Sequence, residues 1–389
     1  MIFEVNEEDL IKCNKYYEYL HKNPELSGEE FETSIYIQNK FENLGYEIIK
    51  VSKTGFIAFL NLNFKETISL RAELDALPIL EDEKHIIKSC NRGISHACGH
   101  DGHMAMMLTV GEILSRNKEK LNINVAILFE EGEETGIGNP PLITALKKFN
   151  IRSIWGIHFE PDLPSGFISI SEGPIMAGDT DIEIIIRGKG GHSSRPDYCN
   201  NPINVVAAII QSIRLFWADV IDPESKSTFS FTKVNAGDGL NIIPDTAYIG
   251  ANLRFFDKKI AKFIISSIKK RVKLIAEEYG CEVEFSKSMD IYGNITINDI
   301  DLTRKIKNTM KENNLEENIR YLKPLYSSES FANFCEKYKC VYSFLGNQPE
   351  NKNTPLHSSK FIIDINQFEL GIKSSLCYVE TENYRGDTL

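Results

Sequence analysis

Apolar and polar positions alternate with two different periods along this chain, and the texture changes near Thr180. From Asp9 to about Leu44 the apolar residues fall near helical spacing (Leu10, Tyr17, Leu20, then Ile35, Ile37, Phe41 and Leu44), broken at Asn23 and Pro24, which predicts two helices around a turn. Phe56 to Leu62 and Ile68 to Ala72 read as strands, and NVAILFE, residues 124 to 130, is apolar without alternation, as in a strand buried on both faces. Between them Met104 to Ser115 reads as a helix. Strands alternating with helices predict an α/β layer with a mostly parallel centre, whose chemistry collects in loops at strand ends.

Beyond Thr180 the order is different. TDIEIIIRGKG alternates with period two, NPINVVAAIIQSIRLFW reads as a helix, STFSFTKVNAG and TAYIGANLRFF as strands, and Lys258 to Tyr279 as an amphipathic helix. This predicts an α+β unit of roughly 110 residues, a plausible domain size. Chemistry-rich segments resume only after it, so it reads as an insertion. The expected division is a domain of residues 1–179 and 290–389 split by a smaller one of residues 180–289.

Length and charge fit this picture. A chain of 389 residues exceeds what one hydrophobic core usually serves. Lys and Arg number 44 against 55 Asp and Glu, a net charge of −11, and no basic stripe appears, which argues against a nucleic-acid partner. No run approaches about 18 apolar residues, and MIFEVNEEDL lacks a basic segment followed by an apolar one, so no membrane partner and a cytoplasmic location are expected. The eight cysteines have no framework spacing, as in reduced thiols.

The candidate chemistry is concentrated in a few segments. HACGHDGH, residues 96 to 103, places three histidines, a cysteine and an aspartate in eight positions, and six of the eight histidines (96, 100, 103, 158, 192 and 357) lie in turn-rich, glycine-rich or proline-flanked stretches. Thiolate, imidazole and carboxylate are the ligand menu of zinc, manganese and cobalt. No HEXXH pair occurs and no second CxxC or HxxxH closes a structural tetrahedron, so an open catalytic site fits better than a zinc finger. FEEGEETG, residues 129 to 136, follows a buried strand with four carboxylates in five positions, enough for a metal ligand and a proton-accepting base. RAELDALP, residues 71 to 78, ends a strand with Glu73 and Asp75, candidates to orient a histidine ligand. Each segment alone has a plainer reading: EEGEE as a solvated loop, His158 or His192 as a structural histidine, Asp75 as a cap, Cys98 as an inert thiol or as a nucleophile activated by His96 or His100.

The ordered series RAELDALP, HACGHDGH, FEEGEETG, GIHFEP, GKGGHSSRP, NIIPD, LRFFD and PLHSSKF resembles the dinuclear metallohydrolases of the aminoacylase and carboxypeptidase superfamily, the peptidase family 20 metallopeptidases. The branch it resembles contains hippurate hydrolases, auxin-conjugate amidohydrolases and N-acetyl-diaminopimelate deacetylases. That resemblance implies a phosphorylase/hydrolase-like α/β catalytic domain with a central mixed sheet and an inserted ferredoxin-like lid or dimerisation domain. It implies Cys98, His100, Glu134, His158 and His357 as ligands of two divalent ions (Mn, Zn, Co or Ni) and Glu133 as general base. His192 would steady the substrate carbonyl across a homodimer interface, Asn241 and Arg254 would recognise a substrate carboxylate, and Asp75 and Asp101 would support the ligands.

Three positions depart from the pattern: Glu73 stands where aspartate is usual, FEEGEETG replaces FQPAEEGG with Glu130 and Glu131 as an alternative pair, and Ser330 stands where the branch carries aspartate. The implied activity is hydrolysis of the amide of an N-acyl amino acid, a small-molecule substrate. The alternatives are a dipeptidase or carboxypeptidase, an N-acetyl-diaminopimelate deacetylase and, in another class, a non-catalytic metal-binding regulatory homologue.

Overall fold

The structure, a computed structural model, describes residues 2–348 and 354–383. Two compact units form: Met1–Ile175, Ile297–Lys323 and Ser330–Leu389 make the first, Met176–Thr296 and Pro324–Glu329 the second.

The first unit is built on a seven-stranded mixed sheet in the order Glu47–Lys50, Phe56–Leu60, Asn124–Glu130, Thr67–Glu73, Ile151–Pro164, Lys339–Gln348, Ile168–Ser169. Its four middle strands, from Asn124–Glu130 to Lys339–Gln348, run parallel, and the outer pairings are antiparallel. The parallel strands Asn124–Glu130 and Thr67–Glu73 are buried at every position, which is why NVAILFE shows no alternation. Helices Glu7–Lys22, His100–Arg116 and Phe368–Asn383 share one apolar cluster with this sheet. The two predicted N-terminal helices form as Glu7–Lys22 and Phe31–Asn43, the first closed by a capping box between Asn6 and Asp9.

Two local differences from the periodicity bear on function. The helix expected from Met104 begins at His100, so half of HACGHDGH is helical rather than loop. Gly99 makes the turn with φ 90°, a conformation that strains any side chain, and a Cβ there would also crowd the Phe159 ring at 3.0 Å. His158, which looked turn-flanked, lies inside the strand Ile151–Pro164, because that strand runs through the residues before its prolines.

In the second unit, strands and helices follow in the order Gly178–Arg187, Pro202–Val220, Thr228–Ala236, Thr246–Phe255, Lys258–Glu278, Glu282–Phe285. The four strands pair antiparallel with Thr228–Ala236 at one edge. Pro202–Val220 is long and apolar enough to cross a membrane by length and composition alone, although charged and polar residues interrupt its apolar run. Its buried residues Val205, Ile209, Ile213 and Phe216 recur every three or four positions and pack with Ile184 and Ile249, the stripe of a helix lying on a sheet.

One buried cation ties together the strand ends of the first unit. Arg71, 1 % exposed, donates from Nε to Glu130 Oε2 (2.8 Å), from Nη2 to Ser330 Oγ (2.7 Å) and from Nη1 to Glu73. Burial pushes the Glu73 carboxyl up in pKa, but Arg71 and then His103 outweigh it and hold it well below the carboxylate range. The stability this pairing contributes is therefore complete above the unfolded value near 4.5 and is lost as pH falls through the lower folded value. Arg71→Met should cost about 3–5 kcal/mol, since it removes the guanidinium that two buried carboxylates share. Urea denaturation checks this, and a loss below about 1 kcal/mol contradicts the role assigned to the cation.

Candidate metal centre

Six side chains converge at the C-terminal ends of the parallel strands. Cys98 precedes the helix His100–Arg116, whose first residue faces the same space; Glu133 and Glu134 lie in the 3₁₀ turn after Asn124–Glu130; His158 comes from Ile151–Pro164 and His357 from the segment before the last helix. Three sets, Cys98/His100/His158, Cys98/Glu134/His357 and His100/Glu133/Glu134, each bring their ligand atoms within 4.8 Å of one another. Cys98 and Glu134 each belong to two sets, as does His100, so the sets form one continuous cluster.

The distances define its centre. Cys98 Sγ lies 3.4 Å from His158 Nε2 and 3.3 Å from His357 Nε2, and His357 Nε2 lies 3.2 Å from Glu134 Oε1. His357 holds a left-handed backbone conformation at φ 56°, rare outside glycine, and its N–H donates to the Ala97 carbonyl at 2.8 Å. Strain at this residue is thus coupled to the turn that carries Cys98.

Surrounding groups fix the tautomers. His100 Nδ1 lies 2.8 Å from the Asp75 carbonyl and His158 Nδ1 lies 2.7 Å from the Phe159 carbonyl; each donates there, so the lone pair sits on Nε2. Asp75 in turn accepts from Ser27 Oγ (2.6 Å) and from the Glu134 backbone N–H (3.1 Å). Glu73, one carbon longer than aspartate, reaches His103 Nδ1 at 2.8 Å, and His103 Nε2 accepts from Phe159 N at 3.2 Å. His103 therefore braces the strand that carries His158. Asp101 Oδ2 sits 2.7 Å from His21 Nδ1, a partner that the spacing of the motifs gave no reason to expect.

Protonation fits a cation. Burial pushes the Cys98 thiol well above its usual pKa, so as a bare group it stays protonated, which disfavours a nucleophilic thiol. Burial also pushes Glu134 up, but His357 and His100 prevail and hold it ionised. Glu134 Oε1 and Asp75 Oδ1 are nonetheless buried without a well-formed hydrogen bond, although imidazoles stand 3.2 and 3.3 Å away. An orphaned carboxylate oxygen beside two imidazoles and a thiol is the environment that a divalent ion satisfies. Zinc, manganese and cobalt all suit this donor set.

The acidic stretch is sorted by its contacts. Glu130 pairs with Arg71, and Glu131 Oε2 accepts from Ser52 Oγ and from Thr54 N at 3.2 Å. Glu133 Oε1 accepts from the Ser330 backbone N–H at 3.1 Å and lies in the cluster. The Ser330 hydroxyl donates to Glu130 Oε1 at 2.8 Å while accepting from Arg71. One serine thus links the buried ion network to the cluster.

The remaining sequence candidates lie in the second unit. His192 is exposed on a two-residue strand paired with Ile242, and its Nδ1 accepts from Ser194 N at 3.1 Å, which puts the proton of the neutral ring on Nε2. The Asn241 carbonyl accepts from Ser193 N at 3.0 Å, so Asn241 and His192 are neighbours. Arg254 donates to Asn252 Oδ1 (2.7 Å) and Ser328 Oγ (2.9 Å).

Comparison with known proteins agrees with this arrangement. Residues 69–381 match the model of Peptidase family M20/M25/M40. The chain is 34% identical over 361 residues to thermostable carboxypeptidase 2 of Saccharolobus solfataricus (90% of each chain) and 31% identical over 354 residues to the hippurate hydrolase of Campylobacter jejuni (89% of this chain, 90% of the relative). A Bacillus subtilis structure described as a dinuclear metal-binding peptidase of the M20 family superposes with a TM-score of 0.83 at 26% identity, covering 97% of this chain and all of that one. With its mixed sheet and clustered thiol, imidazole and carboxylate groups, the chain belongs to the M20 family of metal-dependent amidohydrolases and peptidases.

Proposed function

We propose that this enzyme hydrolyses the amide bond of an N-acyl amino acid, giving a carboxylate and a free amino acid. The observation that carries the reading is the convergence of Cys98, His100, Glu133, Glu134, His158 and His357 at the strand ends. Cys98, His100, Glu134, His158 and His357 hold two divalent ions, drawn from manganese, zinc, cobalt or nickel. Bound there, such ions lower the pKa of water and polarise a carbonyl. Asp75 orients His100, and Asp101 supports the start of the helix that carries it.

Glu133 acts as general base. Its Oε1 is fixed by the Ser330 N–H, so the carboxylate is oriented before substrate arrives; it accepts the proton of the attacking water and returns it to the leaving amine. His192 donates from Nε2 to the developing oxyanion in the active site of a neighbouring subunit, and Asn241 and Arg254 bind the substrate carboxylate. Residues 180–289, which lie within the second unit, form a ferredoxin-like lid and dimerisation domain. Its strand order and its open edge strand Thr228–Ala236, near exposed Leu240 and Ile242, support a homodimer. Eight free cysteines fit a cytoplasmic setting. The likeness to a relative named carboxypeptidase favours a peptide substrate as the second reading.

Glu133→Gln should lower kcat by about 10²–10⁴-fold with bound metal unchanged, because it removes the proton acceptor and no ligand. Turnover at the native rate overturns the base. Cys98→Ala should lose at least one ion per chain by elemental analysis, and full metal content in that variant refutes the ligand role. Light scattering should give twice the 44.2 kDa chain mass. A monomer with full activity contradicts a cross-subunit His192.

A further inference from the structure

His21 and His85, the two histidines outside the motif series, meet away from the cluster described above. His21 Nε2 stands 2.9 Å from Glu81 Oε1, and His85 Nδ1 stands 3.6 Å from the same oxygen. The three ligand atoms lie within 4.8 Å of one another, and both histidines are more than nine-tenths buried. His85 Nδ1 is too far from that oxygen for a hydrogen bond, and neither it nor His21 Nε2 is closed by a well-formed one. Two buried imidazole nitrogens gathered around one carboxylate oxygen, with His85 Nδ1 left without a partner, describe the walls of a cation site.

Local structure holds each donor in place. His21 ends the helix Glu7–Lys22, and its Nδ1 faces Asp101 Oδ2 at 2.7 Å, the outer carboxylate that orients a metal-bound imidazole. Asp101 Oδ1 accepts from Gly102 N at 2.9 Å. Glu81 Oε2 accepts from Ser89 N at 2.8 Å, which leaves Oε1 directed at the histidines. A turn closed by His85 N to the Asp82 carbonyl, 3.2 Å, places His85 over Glu81.

We propose that His21, Glu81 and His85 form a further divalent-metal site, with zinc or cobalt as the fitting ion and water in the fourth position. Two imidazoles and one carboxylate are a known zinc donor set, and the borderline-soft ions prefer imidazole over the all-oxygen shells of magnesium or calcium. The ion takes the place of the proton on His21 Nε2, which leaves to solvent, while the Nδ1 proton stays on the ring and is donated to Asp101 Oδ2. It pins the segment leading to His96–His103 between the end of the first helix and the start of the helix that carries His100. The competing arrangement, an imidazolium at His21 shared by Asp101 and Glu81, makes no use of His85.

The test is zinc content of the full chain after loading and desalting, read for the native protein, His85→Ala and Glu81→Gln. One equivalent per chain fewer in both variants is expected, with hydrolysis by His85→Ala unchanged. The readout is a difference, so it is independent of how many ions the catalytic cluster holds. His85→Gln, which keeps a polar side chain of similar length, replaces His85→Ala if circular dichroism shows that the latter is unfolded. Equal zinc content in the native protein and the folded variants overturns the site.

Discussion

Buried carboxylates at the ends of parallel strands need a fixed positive charge beside them, and Arg71 supplies it to Glu73 and Glu130. It rises from a strand buried at every position and meets Glu73 on its own strand and Glu130 at the matching register of the next. Burying a guanidinium is costly unless its nitrogens find acceptors, and here Nε, Nη1 and Nη2 each have one. Through Glu73 the charge reaches His103 and the strand that carries His158. Through Ser330 it reaches Glu133. The parallel sheet brings these groups to one end, and Arg71 makes their proximity tolerable.

The same network gives a physical account of two departures from the family pattern. Where the resembled branch carries glutamine and aspartate, this chain has Glu130 and Ser330, and the two side chains touch at 2.8 Å with Arg71 against both. Glu130 thus brings Arg71 a second carboxylate beside Glu73, and Ser330 brings a hydroxyl that bridges Arg71 and Glu130. Glu73 fits the same logic: its extra carbon lets it serve Arg71 and His103 together.

Much of the fold could be read along the chain because it rests on period and burial. The uniform apolar run 124–130 and the alternation of 180–187 are local signals, and both became strands. The start of the helix at His100 was not legible, because Gly99 opens it by a backbone conformation that hydrophobic spacing does not record. The gathering of Cys98, His100, Glu133, Glu134, His158 and His357 could be anticipated only from an ordered series of motifs, since no local spacing joins residues so far apart in the chain. His21 opens HKNPELSGEE, where the family resemblance begins, but nothing in the chain joins it to His85 in a charged turn, and only folding brings both to Glu81.

The central claim is that clustered ions and Glu133 cleave an N-acyl amino acid. It is tested most directly by free-amine release from a panel of N-acetyl and N-benzoyl amino acids and dipeptides, with the protein first chelated and then resupplied with manganese, zinc or cobalt. The account predicts release that vanishes on chelation, returns with metal and is strongest on an N-acyl amino acid. Release that survives chelation, or silence across the panel with metal fully bound, would contradict it.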